Sequence, residues 1–184
     1  MSTIDALPFD ARLRSASITL TVAAASYDVW WTYRGASTRD LDAMNELPTF
    51  FRYDEEAHFR NVIISLYALY DSHKGTLTIK SLIRELDEQT ATPIWRAYSK
   101  VQQAVQKVAY LRHNVIAHRN PNQSYDALFK EAGLRPDDLK RLIDDSLALL
   151  SSIAKARDLP EPALTPYAGS DAAELLKLLK SKQA

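Results

Sequence analysis

The chain has 184 residues, 46% of them hydrophobic and 25% charged, a composition that can build one globular domain with a substantial core. It contains no cysteine, which excludes structural disulfides and cysteine-ligated metal sites. Its 23 basic and 23 acidic residues balance, which argues against a protein that coats DNA or RNA through bulk charge. A small local site for one phosphate group stays compatible with this balance.

The first residues do not resemble a targeting segment. Asp5 and Asp10 precede any apolar run, unlike the positively charged start of a secretory signal. The uncharged run over residues 15–27 is too short to span a bilayer and is rich in Ser, Thr and Ala. We therefore expect a cytoplasmic protein that does not use a membrane as partner.

Apolar residues recur at helical spacing along the chain, and no long alternating strand pattern appears, so we predict an all-α fold. The first helix is predicted over residues 10–34, with the apolar stripe Leu13, Leu20, Ala24, Tyr27 and Trp31. A short helix or loop follows over 36–48. The next long helix ends near Tyr70 and is placed centrally because one face carries Phe59, Ile63, Leu66 and Tyr70.

Turn and cap residues predict where these helices begin and end. Three glycines follow helical patterns and are predicted helix stops: Gly35, Gly75 and Gly133. Thr76 or Thr78 is predicted to cap a short helix before residue 86. The pair Thr92-Pro93 is predicted to begin a long helix that reaches about His118 or Arg119.

The C-terminal part is predicted to add three helices. A short one over 124–132 ends at Gly133, and Arg135-Pro136-Asp137-Asp138 begins the last core helix, with carboxylates at its positive end. Its predicted buried stripe is Leu139, Ile143, Leu147, Leu150 and Ile153. A proline-containing linker leads to a helix over 170–180 that docks on the bundle or on another subunit. We predict a bundle over residues 1–157, and a linker with a C-terminal helix over 158–184.

The longest predicted helix carries a charge in its apolar stripe. Spacings of four, three, four and three residues connect the stripe Ile94, Tyr98, Val101, Val105 and Val108. The next position in this pattern is Arg112. Burial of an arginine is costly unless the guanidinium is paired or faces a site that needs it. The pattern therefore points to the segment that follows Arg112 as a candidate site.

Arg112 and His118 border the same face of a helix that continues through both. With Val108 as the centre of the buried face, Arg112 lies roughly 40° to one side and His118 roughly 80° to the other. Asn114 precedes His118 by one turn and can reach it, whereas His113 points more outward. A guanidinium binds phosphate oxygens, and an imidazole transfers protons near neutral pH. In RNA the 2′-hydroxyl supplies the nucleophile, so these groups suit phosphodiester cleavage without a metal.

The same segment resembles a known family. Arg112, the polar His113, four further residues and His118 fit the Arg-x(4–6)-His motif of the HEPN superfamily, and residues 117–120 look like its abortive-infection, AbiU-like branch. The stretches 63–71 and 77–82 also resemble that branch. The resemblance implies a bundle of four to five core helices with a short C-terminal helix. It also implies a metal-independent endoribonuclease that acts as a homodimer in phage defence or as a toxin.

By this resemblance Arg112 and His118 would form the catalytic pair. His113 would be the polar neighbour, and Asn114 would orient His118 or contact the substrate. Together with Arg119, these two residues are our candidates for substrate binding. The expected partners are RNA, a second copy of the chain and, for a toxin, an antitoxin. We expect no metal site and no cofactor.

Other interpretations stay open at this stage. The chain could be a non-catalytic helical module that binds a nucleotide or a protein partner, and Arg112 could be a structural arginine paired with a carboxylate. Arg52 and His58 also match the motif, but three acidic residues between them would repel a phosphate. Glu55 and His58 have the spacing of di-iron ligands, yet no second Glu-x-x-His exists.

Overall fold

A computed structural model describes residues 7–71, 73, 75–114, 125–164 and 167–181. In these ranges the chain forms eight helices and no strand, which confirms the predicted all-α class. The four long helices are α1 (Phe9–Arg39), α3 (Pro48–Tyr70), α5 (Glu88–Arg112) and α7 (Pro136–Lys155). The four short ones are α2 (Leu41–Asn45), α4 (Ile79–Ile83), α6 (Tyr125–Ala132) and α8 (Ala168–Ser181). Within the described ranges, no helix has the length and apolar character that crossing a membrane requires.

Two predicted helix starts are confirmed by their caps. At the start of α4, the Ser81 amide donates to the Thr78 hydroxyl at 3.1 Å, and the Thr78 amide donates to the Ser81 hydroxyl at 3.0 Å. At the start of α7, Pro136 takes the first position, and the Asp138 carboxylate accepts from the Arg135 amide at 2.9 Å. These contacts satisfy amides that a helix start leaves without a partner inside the helix.

The prediction that Gly35 ends the first helix is wrong. Gly35 lies inside α1, which continues to Arg39. The Arg39 Nε donates to the Gly35 carbonyl at 3.1 Å, and the Arg39 guanidinium occupies the space beside the glycine where a side chain would stand. A glycine costs a helix about 1 kcal/mol, which the packing of a long buried helix outweighs. Gly133, in contrast, directly follows α6 and has the positive φ of a helix stop, 59°. Gly75 also has a positive φ, 81°, but α3 has already ended at Tyr70, so Gly75 belongs to the turn and does not end that helix.

The predicted start at Thr92-Pro93 is also wrong, because α5 begins one turn earlier. The Asp87 side chain caps it by accepting from the Thr90 amide at 3.0 Å. The Thr92 hydroxyl donates to the Glu88 carbonyl at 2.8 Å instead of capping a helix. Pro93 therefore lies inside α5, where it removes one backbone hydrogen bond close to the helix start.

The main core lies between the four long helices, with α4 and α6 at its edges. It contains the stripes predicted for α3, α5 and α7, except that Leu147 is only partly buried. In α1 the prediction chose the wrong tryptophan. Trp31 is 46% exposed, whereas Trp30 is buried, with its ring centroid 5.4 Å from that of Phe59 and 5.9 Å from that of Phe129.

A second, smaller core explains why a single stripe did not describe α1. The helix α8 packs against α1 and α2 within the same chain. The buried residues shared by these helices and the start of α3 are Val29, Tyr33, Ala36, Ala43, Met44, Phe51, Ala172 and Leu176. An ion pair between Lys180 and Asp40 adds to the contact. Of the two docking modes predicted for the C-terminal helix, the chain adopts docking on its own bundle.

One glutamate, Glu85, connects three parts of the bundle. The Arg12 side chain in α1 is 9% exposed and donates two hydrogen bonds to the Glu85 carboxylate, at 2.5 and 2.6 Å. The Arg157 guanidinium, just after α7, donates to the Glu85 backbone carbonyl at 2.7 Å. Both guanidinium groups lie over the Phe9 ring, at 5.7 Å for Arg12 and 4.5 Å for Arg157. Glu85 therefore holds the segment after α4 against the start of α1 and the residues just after α7.

Candidate functional site

The α-helical part of α5 ends at Arg112, the first residue of the motif. His113 and Asn114 continue it in a wider, π-type turn. His118 and Arg119 lie outside the described residues, so their predicted roles stay predictions. The described part of the site is therefore the end of α5 and the elements that pack against it.

The expectation that Arg112 takes a core position is wrong. Arg112 is exposed, and its neighbour Leu111 is fully buried in the main core. Helical spacing records the direction of a side chain but not where the neighbouring helices end. At this point of α5 the core continues on the side of Leu111, while Arg112 has passed the edge of the bundle.

The Arg112 guanidinium lies on an aromatic ring. Its central carbon is 4.8 Å from the ring centroid of Tyr67, a half-buried residue in the last turn of α3. This is the geometry of a cation–π contact, which attracts the guanidinium without neutralising its charge. No carboxylate of the described residues lies within 4.0 Å of it. The structural interpretation of Arg112, as partner of an acidic residue, therefore has no support in the described part of the chain.

Tyr67, the ring under Arg112, belongs to a polar network that the sequence analysis did not predict. The Tyr67 hydroxyl donates to the Asp71 carboxylate at 3.3 Å. The same oxygen accepts from the His73 backbone amide at 3.1 Å and contacts the His73 Nδ1 at 2.6 Å. The available signal was the i, i+4 spacing of Tyr67 and Asp71, which places both on one face of α3.

This network sets the protonation of its members. Burial by itself would raise the pKa of Asp71, but hydrogen bonds from the His73 side chain and backbone and from Tyr67 outweigh it and lower that pKa. Burial first, then the Asp71 charge and hydrogen bond, raise the pKa of Tyr67 against the opposing charge of Arg112. Near neutral pH, Asp71 is therefore a carboxylate and Tyr67 a neutral hydroxyl that donates to it.

The structure places the two remaining described candidates beside Arg112. His113 is exposed, as predicted, and its backbone amide bonds to the carbonyls of Ala109 and Tyr110. The Asn114 side-chain amide donates to the Tyr110 carbonyl at 2.8 Å and so anchors this turn to α5. Arg112, His113 and Asn114 are thus consecutive residues that point in different directions around one helix end.

The second motif match has a different environment. The His58 Nε2 lies 3.7 Å from the Asp54 carboxylate on the same helix, and Glu55 is 3.9 Å from the Arg34 guanidinium. These acidic neighbours make the Arg52–His58 surface unsuitable for a phosphate. In the part of the chain that the structure describes, no cluster of three or more His, Asp or Glu side chains could hold a metal ion.

The described arrangement can bind an anion at one defined point. A permanent cation is held by an aromatic face and is exposed to solvent. The Asp71 carboxylate, which accepts from the Tyr67 hydroxyl and the His73 amide through one of its oxygens, forms no salt bridge with it. A guanidinium can offer a phosphate group two parallel N–H donors. The fold and site therefore define a helical bundle with an exposed arginine at the end of the long helix α5.

Comparison with protein families identifies this class. The family model described as AbiU2, a HEPN family, matches residues 7–157. The chain therefore belongs to the AbiU2 family of HEPN domains. Membership suggests an abortive-infection or ribonuclease-like role. Comparisons with curated proteins and with solved structures gave no match.

Proposed function

We propose that the protein is a metal-independent endoribonuclease of the HEPN type that acts in phage defence or as a toxin. The observation that carries this proposal is the state of Arg112. It is an exposed guanidinium on the Tyr67 ring, with no carboxylate of the described residues in salt-bridge distance. A cation in this state is suited to a phosphate group of a substrate.

The proposed chemistry is an internal displacement at phosphorus. The 2′-hydroxyl of RNA attacks the neighbouring phosphate, the P–O5′ bond breaks, and a 2′,3′-cyclic phosphate and a 5′-hydroxyl form. Arg112 stabilises the negative charge that builds up on the phosphoryl oxygens. His118 transfers a proton, either from the 2′-hydroxyl or to the leaving 5′-oxygen. Asn114, His113 and Arg119 contact or orient the reacting groups.

A homodimer fits this chemistry. Cleavage needs one group that accepts a proton and one that donates it, and each chain supplies one histidine of the motif. A two-fold dimer with facing motifs would bring two copies of His118 to one phosphate. We therefore propose that the active form is the dimer.

The test is cleavage of mixed RNA by the purified protein in EDTA, compared with Arg112→Ala and His118→Ala. The double variant Arg52→Ala/His58→Ala is a matched control, because it removes the other pair of the same spacing. We expect cyclic phosphate ends from the wild type and the control, and a large loss in the two motif variants. Undiminished cleavage in His118→Ala would contradict the assignment.

A second outcome would redirect the proposal. If the folded, dimeric wild type binds RNA or a nucleotide through Arg112 but never cleaves, the protein is a binding module rather than an enzyme. Arg112-dependent binding without turnover is the result that this alternative predicts.

A further inference from the structure

A groove on the side of α5 that faces α6 and α7 does not include Arg112 among its described lining residues. It lies between α5, α6 and α7 and has a volume of about 600 Å³. Its floor is apolar, with Val101, Ala104, Phe129, Leu134 and Leu142. Its rim is basic, with Lys100, Lys107, Lys130, Arg135 and Arg141.

The groove concentrates positive charge in a chain whose formal net charge is zero. Two acidic residues, Asp138 and Asp145, line it together with the five basic ones. Asp138 is engaged by Arg141 at 2.5 Å and by Arg135 at 3.6 Å, which partly neutralises that end. The three lysines differ from these two arginines, because no described carboxylate lies within 4.0 Å of their ammonium groups.

The structure also fixes one of these lysines in place. The Lys107 ammonium donates to the Gly133 carbonyl at 2.5 Å, across the groove from α5 to the turn after α6. Gly133 has a positive φ of 59°, the conformation that turns the chain towards this contact. Because the acceptor is neutral, Lys107 keeps its positive charge at the rim.

The groove leads towards the motif. Lys100, Lys107 and Asn114 are each separated by seven residues, close to two turns of a helix. They therefore follow one side of α5, with about 10.5 Å of axial rise from each to the next. The last of them belongs to the candidate site, where it is anchored on Tyr110.

We infer that this groove binds the phosphate backbone of the RNA strand beside the cleaved bond. This inference rests on the proposed function, and it adds a substrate-binding surface formed by Lys100, Lys107 and Lys130. Spaced point charges along a shallow apolar floor suit a single strand of repeating phosphates. The aromatic ring on the floor, Phe129, is buried against Trp30 and Phe59, so it cannot stack with bases. Binding is thus electrostatic and independent of base sequence.

The test uses a fluorescent single-stranded oligonucleotide with 2′-O-methyl groups, which lacks the nucleophile and cannot be cleaved. Its affinity is measured against salt concentration for the wild type and for Lys100→Gln/Lys107→Gln/Lys130→Gln. The control is Lys80→Gln/Lys155→Gln/Lys177→Gln, which removes three exposed charges outside the groove, two of them paired with Glu161 and Glu174. Circular dichroism and thermal unfolding establish that each variant is folded.

We expect the groove variant to bind at least tenfold more weakly in low salt. Because each phosphate contact on a single strand contributes about −0.7 to the slope of log K against log salt, the slope should become less negative by about 2. The control should keep the wild-type slope. With cleavable RNA, the groove variant should raise KM while kcat changes little, since the lysines bind the strand away from the reacting atoms.

Three results would overturn the inference. If the groove variant binds the oligonucleotide like the wild type while the wild type cleaves RNA, the groove proposal fails and the proposed function stands. If the wild type neither binds nor cleaves RNA, the proposed function fails as well. If the groove variant loses binding of poly-glutamate but not of the oligonucleotide, the groove serves an acidic protein segment instead.

Discussion

Two arginines with the same type of aromatic contact show how this fold separates structural from available charge. Arg12 lies over Phe9 at 5.7 Å, and Arg112 lies over Tyr67 at 4.8 Å. Arg12 is buried and bonded through two nitrogens to Glu85. Arg112 is exposed, and among the described residues it has no carboxylate in reach.

The comparison shows that a paired carboxylate, and not an aromatic ring, determines whether the charge of an arginine is neutralised or stays available. A bidentate carboxylate uses the donors of a guanidinium and cancels its charge, so Arg12 joins helices. A ring positions a guanidinium but leaves its N–H donors at the edge for another acceptor. The Asp71 carboxylate beside Tyr67 does not reverse this, because it forms no salt bridge with Arg112, and one of its oxygens accepts from Tyr67 and His73.

The largest expected effect is on the reaction. Arg112→Ala should lower RNA cleavage by roughly 10²- to 10³-fold, the loss typical of removing one charge-stabilising donor from a reaction site. The melting temperature should stay within about 2 °C of the wild type, because exposed substitutions change stability little. Cleavage kinetics and thermal unfolding on one preparation check both parts. If Arg112→Ala is destabilised but still cleaves RNA, Arg112 has the structural role that is assigned here to Arg12.

The next effect is on stability. Arg12→Ala should lower the free energy of unfolding by about 2 kcal/mol, less than the 3–5 kcal/mol of a fully buried pair, since the Glu85 side chain is 38% exposed. Denaturant titration measures this loss. At a temperature where the variant is folded, we expect cleavage near the wild-type rate, and a loss as large as that of Arg112→Ala would contradict the assigned role.

A smaller effect should come from the ring under Arg112. Tyr67→Leu keeps an apolar side chain but removes the cation–π contact, worth about 0.5–1 kcal/mol at an exposed site, so cleavage should fall by about two- to fivefold. Tyr67→Phe keeps the ring and loses only the hydrogen bond to Asp71, so it serves as the control. Equal rates for Leu and Phe at this position would show that the ring does not position Arg112.

The smallest expected effect is a pH dependence of the Arg12 pair. Hydrogen bonds from Arg12 are the largest cause of the lowered pKa of Glu85. They outweigh burial, which by itself would raise that pKa. A carboxyl group with a lowered folded-state pKa stabilises the protein above its unfolded pKa, and this contribution is lost as pH falls through the folded value. The stability difference between the wild type and Glu85→Gln should therefore shrink between about pH 6 and pH 3. A difference that is constant over this range would contradict the pairing.

The sequence predicted the parts of the fold that local chemistry determines. The Thr78 cap, the Pro136 start with Asp138, and the stop at Gly133 depend on residues close in the chain. The all-α class follows from the spacing of apolar residues and is confirmed. The family resemblance is confirmed too, by the match over residues 7–157.

The errors have different physical causes, some distant in the sequence and some local. Gly35 lies inside α1 because the second core against α8 holds that part of the helix, and no local pattern reports such packing. The true cap of α5, Asp87, competed with a stronger local signal at Thr92-Pro93. For Arg112 the pattern predicted a buried position, but the side chain is exposed and lies over the half-buried Tyr67 ring instead of inside the core. The Asp71–His73 contact could not be foreseen because it depends on how the chain leaves α3.

A crossed comparison of Arg12→Ala and Arg112→Ala, each assayed for RNA cleavage in EDTA and for unfolding free energy, would separate the structural arginine from the phosphate-binding one. We expect Arg112→Ala to lose cleavage and keep its stability, and Arg12→Ala to lose stability and keep cleavage. If Arg112→Ala cleaves RNA like the wild type, or loses activity only in proportion to lost stability, Arg112 is not the phosphate-binding residue of this protein.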